Sequence, residues 1–202
     1  MVLAASSFVT VLGSLVLVAW HLRILSLIRI LPNDSVVVYN TALCFLLMGI
    51  GLYAVAAKRL WLATVSGSIS LVISLLTLSE YLFGLDLGID QALMINYVEG
   101  RATFPGRMAL TTTIGFMLSG ISILLMSRDA LGTAVSLRRT DVIGLAGTIV
   151  VVLGVMTILL FLTGMEVFYG LGRVDHSVAL PTAVGFVALG VGIASWSCNG
   201  VE

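Results

Sequence analysis

The chain has 202 residues, 59 % of them hydrophobic and only 10 % charged, with a mean hydropathy of +1.16. Soluble domains carry about 25 % charged residues because their surfaces need them, so an ordinary soluble domain is excluded. Ten basic and ten acidic residues leave a formal net charge of zero, which offers nothing to a polyanion and removes nucleic acid from the expected partners. At about 20 residues per crossing, the chain accommodates roughly six or seven membrane helices with short loops. The expected fold is all-α, a polytopic membrane helix bundle forming a single integral membrane domain over residues 1–202.

The N-terminus, Met1-Val2-Leu3-Ala4-Ala5-Ser6-Ser7, lacks the basic region of a cleaved signal peptide, and the apolar run after it is too long for a signal core. It reads as a retained first crossing. Six segments satisfy the length rule with few or no interior charges: 3–22, 37–57, 60–83, 109–127, 142–164 and 180–198. Each must be helical, since backbone N–H and C=O groups find no water in hydrocarbon. Leu22 to Leu31, carrying Arg23 and Arg29, is expected to extend the first helix through the headgroup layer with its arginines snorkelling outward. A tight turn at Leu31-Pro32-Asn33-Asp34-Ser35 follows.

Lys58-Arg59 joins the second and third helices, and Arg128, Arg138 and Arg139 lie between the fourth and fifth. The positive-inside rule puts these loops, and both termini, in the cytoplasm. Arg23, Arg29, Arg101, Arg107 and Arg173 then fall outside, together with Asp34, Asp86, Asp90, Glu99, Glu166 and Asp175.

One helix start occurs three times. Asn40-Thr41-Ala42-Leu43-Cys44-Phe45 leads to Gly49 and Gly51, Thr111-Thr112-Thr113-Ile114-Gly115-Phe116 to Gly120 and Ser122, and Pro181-Thr182-Ala183-Val184-Gly185-Phe186 to Gly190 and Gly192. Matching threonines are 71 and 70 residues apart, the mark of a duplicated structural unit. The connections that follow differ in length, so only this entering helix reads as repeated. Thr or Asn at its start is expected to cap free N–H groups. The strip of small residues is expected to let neighbouring backbones approach closely at the centre of the bundle.

Asn40-Thr41-Ala42-Leu43-Cys44-Phe45-Leu46-Leu47-Met48-Gly49 resembles a helix in the N-terminal membrane regions of certain bacterial sensor proteins, those preceding PAS, histidine-kinase or diguanylate-cyclase domains. Tyr81 to Asp90 resembles their outer loop, Pro105-Gly106-Arg107-Met108-Ala109 the segment entering the next helix, and Val178 to Ala183 the start of their last helix. The resemblance spans residues 36–198. It implies a sensory input module of the bacterial inner membrane with a cytoplasmic effector after the last helix. No effector lies within these 202 residues, so the output is expected through another polypeptide or a longer chain.

Ionisable groups at membrane depth are costly and raise a functional hypothesis by default. Glu80, about one turn from the outer end of the third helix, reads either as the carboxylate of an outer pocket or as an interfacial group paired with Arg23 or Arg107. Two outer loops are candidate recognition surfaces. One runs from Gly84 to Met108, and the other from Met165 to Ala179. The candidate ligand-binding residues are Glu80, Asp86, Asp90, Arg107 and His176. No cofactor is expected; the alternative is a haem held between His21 and His176. Asp86-Leu87-Gly88-Ile89-Asp90 lacks the ligand and glycine spacing of a calcium loop. No phosphate loop, Ser-His-Asp set or His-Glu-x-x-His helix is present, so no enzyme activity is expected.

The leading expectation is a signal-input module that binds a small or membrane-soluble ligand outside and signals through other membrane or cytoplasmic protein subunits. The alternative is a small structural or assembly subunit of a larger membrane complex. A transporter or channel is disfavoured by charge-free helix interiors at 109–127 and 142–160. Cys44 and Cys198, about 20 Å apart along the membrane normal at 1.5 Å per helical residue, are expected to be free thiols. The orientation predicts that a cysteine placed at Asn96 reacts with an impermeant reagent from outside whereas one at Thr133 does not; the reverse labelling inverts the topology.

Overall fold

The computed structural model describes residues 1–29, 35–98, 104–129, 137–163 and 178–199. The helices are α1 (Val2–Leu22), α2 (Leu25–Ile28), α3 (Tyr39–Ala56), α4 (Leu60–Phe83), α5 (Leu110–Asp129), α6 (Leu137–Leu162) and α7 (Leu180–Asn199). All but the four-residue α2 are long and apolar enough to cross a membrane, and the protein is a multi-pass membrane helix bundle. Its lipid-facing surface is apolar: Leu15 and Val18 on α1, Val72 on α4, and Leu145 and Val152 on α6 are all exposed.

The six long helices form two shells. In α3, α5 and α7, the three helices with the repeated start, 61, 56 and 50 % of the spanning residues are buried, against 28, 33 and 28 % in α1, α4 and α6. The inner three meet on a common axis, where Phe45, Phe116 and Phe186 pack ring against ring with centroids 4.8, 4.9 and 5.3 Å apart. These phenylalanines occupy the same position of each repeat. In α5 and α7 the residue before the ring is a glycine that makes room for the ring of a neighbouring inner helix. A Cβ on Gly115 would come within 2.7 Å of the Phe186 ring, and one on Gly185 within 2.6 Å of Phe45. A second layer of equivalent residues, Leu52, Ile123 and Ile193, closes the axis one level down, each fully buried. It again packs into small neighbours: a Cβ on Gly51 would touch Ile123 at 3.0 Å, and one on Gly192 would meet Leu52 at 2.6 Å.

The outer helices are repeated as well, which the sequence reading missed. Gly49, Gly120 and Gly190 hold equivalent positions, and each lies against the backbone of the preceding outer helix. A Cβ there would meet Thr10 N at 2.6 Å, Gly67 O at 3.2 Å and Gly147 O at 2.6 Å respectively. Gly13 and Gly154 return the contact, against the carbonyls of the equivalent residues Ala42 (2.7 Å) and Ala183 (2.6 Å). The outer helices therefore share a small-residue register: Ser6-Thr10-Gly13, Gly67-Leu71-Ser74 and Gly147-Val151-Gly154. The unit is a pair of antiparallel helices (α1 with α3, α4 with α5, α6 with α7), arranged three times around the phenylalanine axis. Its first halves are 61 and 80 residues apart, an unequal spacing that hides them from a search at a fixed period.

Two local expectations are corrected. α1 does not continue through Leu31. It stops at Leu22, where Arg23 turns left-handed (φ 56°), and the chain doubles back through α2. The reversal buries Ile28 beside Trp20 and Val37 and lets the Trp20 indole donate to the Val37 carbonyl at 2.9 Å. Packing an indole and an isoleucine outweighs three more turns of helix in the headgroup layer. Arg23 is exposed, with its guanidinium 5.5 Å from the Tyr97 ring centroid. The turn expected at Leu31–Ser35 lies almost wholly outside the described residues. The second correction concerns caps. α3 has Val38 at its N-cap and no side-chain cap, Asn40 donates to the Ile89 carbonyl, and Thr111 Oγ1, at the start of the second repeat, is buried without a hydrogen-bond partner. Cys44, buried in α3, and Cys198, exposed near the end of α7, are both free.

Gly190→Val is expected to destabilise the bundle by about 2 kcal/mol or more, because the contacted atoms are backbone and cannot swing aside. Thermal unfolding in detergent checks this, with the lipid-facing Leu145→Val as the control that leaves the midpoint unchanged.

Candidate functional site: a buried carboxylate and arginine cluster

The described parts of the connection from α4 to α5, residues 84–98 and 104–109, fold over the end of the bundle where the inner helices begin. Gly84 starts the reversal, ending α4 in the left-handed region at φ 64°, a conformation glycine adopts at no steric cost. The chain then turns back toward the last helical turn, and the Leu87 amide donates to Glu80 Oε1 at 2.8 Å. A second glycine closes the loop from the other side. Gly106 (φ 87°) passes so near the Asp90 carbonyl that a Cβ would stand 2.7 Å from it. That approach sets Arg107, the next residue, against both acidic arms.

Arg107 is the centre of the site. Its Nε donates to Asp90 Oδ2 at 2.7 Å and lies 3.4 Å from Glu80 Oε2. Its Nη2 reaches the Leu85 carbonyl at 3.3 Å and lies 3.9 Å from Asp86 Oδ1. The guanidinium carbon also lies 4.0 Å from the Phe104 ring centroid, a cation–π contact that a planar guanidinium combines with hydrogen bonds to more than one acceptor. The side chains of Glu80, Asp90 and Arg107 are 0, 6 and 3 % exposed, whereas that of Asp86 is 66 % exposed. The cluster is therefore a buried ionic core with one wetted carboxylate. Burial pushes the Asp90 carboxyl above its ordinary value, and the hydrogen bond and charge of Arg107 pull against that rise.

Three helices are tied to this segment. Glu80 anchors it to α4, and the Tyr81 hydroxyl donates to the Met108 carbonyl at 2.9 Å, just before α5. From α3, Asn40 Nδ2 donates to the Ile89 carbonyl at 2.9 Å. Further along, the Tyr97 hydroxyl donates to the Trp20 carbonyl of α1 at 3.0 Å. Of the candidate residues, Glu80, Asp86, Asp90 and Arg107 come together here, and the partner of Glu80 is Arg107 and not Arg23. His176, and the loop from 164 to 177, lie outside the described residues. His21 ends α1 with its Nε2 3.4 Å from the Tyr39 hydroxyl.

Sequence reasoning missed the parts played by Asn40, Tyr81 and Phe104. Asn40 reads as a cap from the sequence, although an amide one residue into a membrane helix is as well suited to an overlying loop. Oxygens of Glu80, Asp86 and Asp90 lie within 4.8 Å of one another and are the one set among the described residues able to converge on a metal ion. The Arg107 charge already occupies the space between two of them. No protein-family model, curated protein or solved structure matches this chain.

Removing the positive charge leaves two buried carboxylates without a counterion, a loss of about 3–5 kcal/mol for a buried pair. Arg107→Met is therefore expected to release the segment between Leu85 and Val98 to protease. Arg107→Lys is expected to rescue it only partly, since lysine cannot bond Asp90 and Leu85 together while stacking on Phe104. Protease resistance equal to that of the unaltered protein in either variant contradicts this account.

Proposed function

We propose that the protein is a signal-input module of the bacterial inner (cytoplasmic) membrane, with both termini cytoplasmic and the Glu80–Arg107 cluster at the outer face. In this reading the α4–α5 segment senses a small or membrane-soluble stimulus. Its movement passes along α3, α4 and α5 to a protein partner at the cytoplasmic side. The role is not enzymatic. The observation that carries the reading is the attachment of one outer segment, through a buried ionic core, to the ends of several helices at once. The resemblance of residues 36–198 to bacterial sensor membrane regions points the same way.

A transport path fits less well. The axis is filled at the Phe45 level and again at the Leu52 level, and substrate routes through membranes are lined by polar or charged groups. The second reading, a structural or assembly subunit, draws on one feature. At the end of the bundle opposite the cluster, an apolar groove lies between Met1, α6 and α7, lined by Thr148, Val151, Val191, Ala194 and Cys198. A partner helix of a complex would fit against such a surface.

Coupling across the membrane is testable with spin labels on Ala57→Cys, in the turn between α3 and α4, and on the native Cys198. Both positions are exposed, and both lie away from the cluster. Release of the outer segment by Arg107→Met is expected to shift the distance distribution between the labels. An unchanged distribution in a variant whose segment is demonstrably released counts against signal input and leaves the assembly reading.

A further inference from the structure

The charges of the cluster do not balance. With every group ionised, the buried part holds two carboxylates, Glu80 and Asp90, and a single guanidinium, with Asp86 adding a further negative charge at the rim. The hydrogen bonds do not balance either. Glu80 Oε2 and Asp90 Oδ1 are both buried, and neither has a hydrogen-bond partner. Acceptors in this position lack a donor, and carboxylates this close in a low dielectric resist ionising together. A divalent cation would satisfy the oxygens, but Arg107 Nε already stands 2.7 Å from one carboxylate and 3.4 Å from the other. Glu80 and Asp90 each turn a carboxylate oxygen to the same point, within 4.8 Å of one another, so a proton held by the pair removes one of the two negative charges and leaves Arg107 in place.

We propose that one proton is shared between Glu80 and Asp90, and that the stimulus read by the outer segment is the loss of this proton to outer-face water. The proposal rests on the signal-input reading and gives its ligand. With the proton in place, one carboxyl donates to the other carboxylate, and the buried core of Glu80, Asp90 and Arg107 is neutral. When the proton leaves, two negative charges share one arginine and repel each other. Glu80 belongs to a packed helix while Asp90 belongs to the loop, so the loop is the part that yields.

The described groups facing the pair are few. Tyr81 comes from α4, Asp86 and Arg107 from the segment itself, and the neutral Asn40 amide from α3. Asp86 strengthens the repulsion and Arg107 weakens it. Burial raises the Asp90 carboxyl in the closed form relative to the open, solvated one. The closed form therefore binds more protons, so closure is complete at low pH and is lost as pH rises through the closed-form titration of the pair.

The experiment is amide hydrogen exchange of the full chain in phospholipid nanodiscs, following residues 85–98 and correcting for the intrinsic pH dependence of exchange. In the unaltered protein, protection is expected to fall by up to about tenfold per pH unit while opening releases one proton. In Glu80→Gln, a neutral amide replaces the shared proton and donates to Asp90, and protection is expected to stay high and independent of pH. Asp90→Asn, a second neutral partner, is expected to do the same. A flat profile in the unaltered protein overturns the proposal, as does an unaltered slope in both variants. The spin-label distance between Ala57→Cys and Cys198 separates the two levels. A steep exchange profile with a distance that ignores pH keeps the shared proton and defeats the signalling role, whereas a flat profile defeats the proton and leaves signal input standing.

Discussion

Helices inside a bilayer gain nothing from the hydrophobic effect by touching one another, because lipid tails are as apolar as leucine side chains. What holds them is dispersion between closely fitted surfaces, and the fit is made here by missing side chains. Gly49, Gly120 and Gly190 each press against the backbone of an outer helix, and Gly115 and Gly185 each accept a phenylalanine ring from the next inner helix. Everything else follows from that arrangement. The inner helices lie close enough for Phe45, Phe116 and Phe186 to meet, while the outer helices turn apolar side chains to lipid.

The polar residues follow the same constraint. Ser66, Ser70, Ser74, Thr77 and Glu80 mark one buried face of α4, spaced by three or four residues as a helix face requires. The serines serve chiefly by being small. Ser66 and Ser74 return their hydroxyls to carbonyls four residues back, at 2.8 and 2.9 Å, which satisfies them within their own helix. Glu80 cannot be satisfied in that way. Its carboxylate lies at the last turn of the same face, and it draws in a loop amide and an arginine because nothing on α4 will serve.

A buried ion pair is weak evidence for stability, since desolvation offsets most of its Coulomb energy. A plain apolar loop would cover the end of the bundle at less cost. The cluster instead joins two parts held in different ways: a triplicated core packed backbone to backbone, and a segment held by directional contacts. The charge imbalance sits at that junction, two buried carboxylates against one guanidinium. This is why the functional reading centres on the cluster and not on the axis, whose packed rings leave no alternative arrangement.

The sequence by itself determined the six crossings and the three equivalent inner helices, and it singled out Glu80, Asp86, Asp90 and Arg107 without joining them. These depend on local quantities: apolar length, the cost of charge at membrane depth, and a repeat strong enough to survive at intervals of 71 and 70 residues. Only the tertiary structure decided the rest. The outer repeat is carried by two or three small residues per helix, at positions where glycine and serine are interchangeable, and unequal connections remove its period. The break of α1 at Arg23 depends on Trp20 finding the Val37 carbonyl, a partner that local propensity cannot anticipate. The choice of Arg107 over Arg23 as the partner of Glu80 depends on the close passage of Gly106 beside Asp90. Each is a contact between segments far apart in the chain, and such contacts are selected by packing and not by sequence spacing.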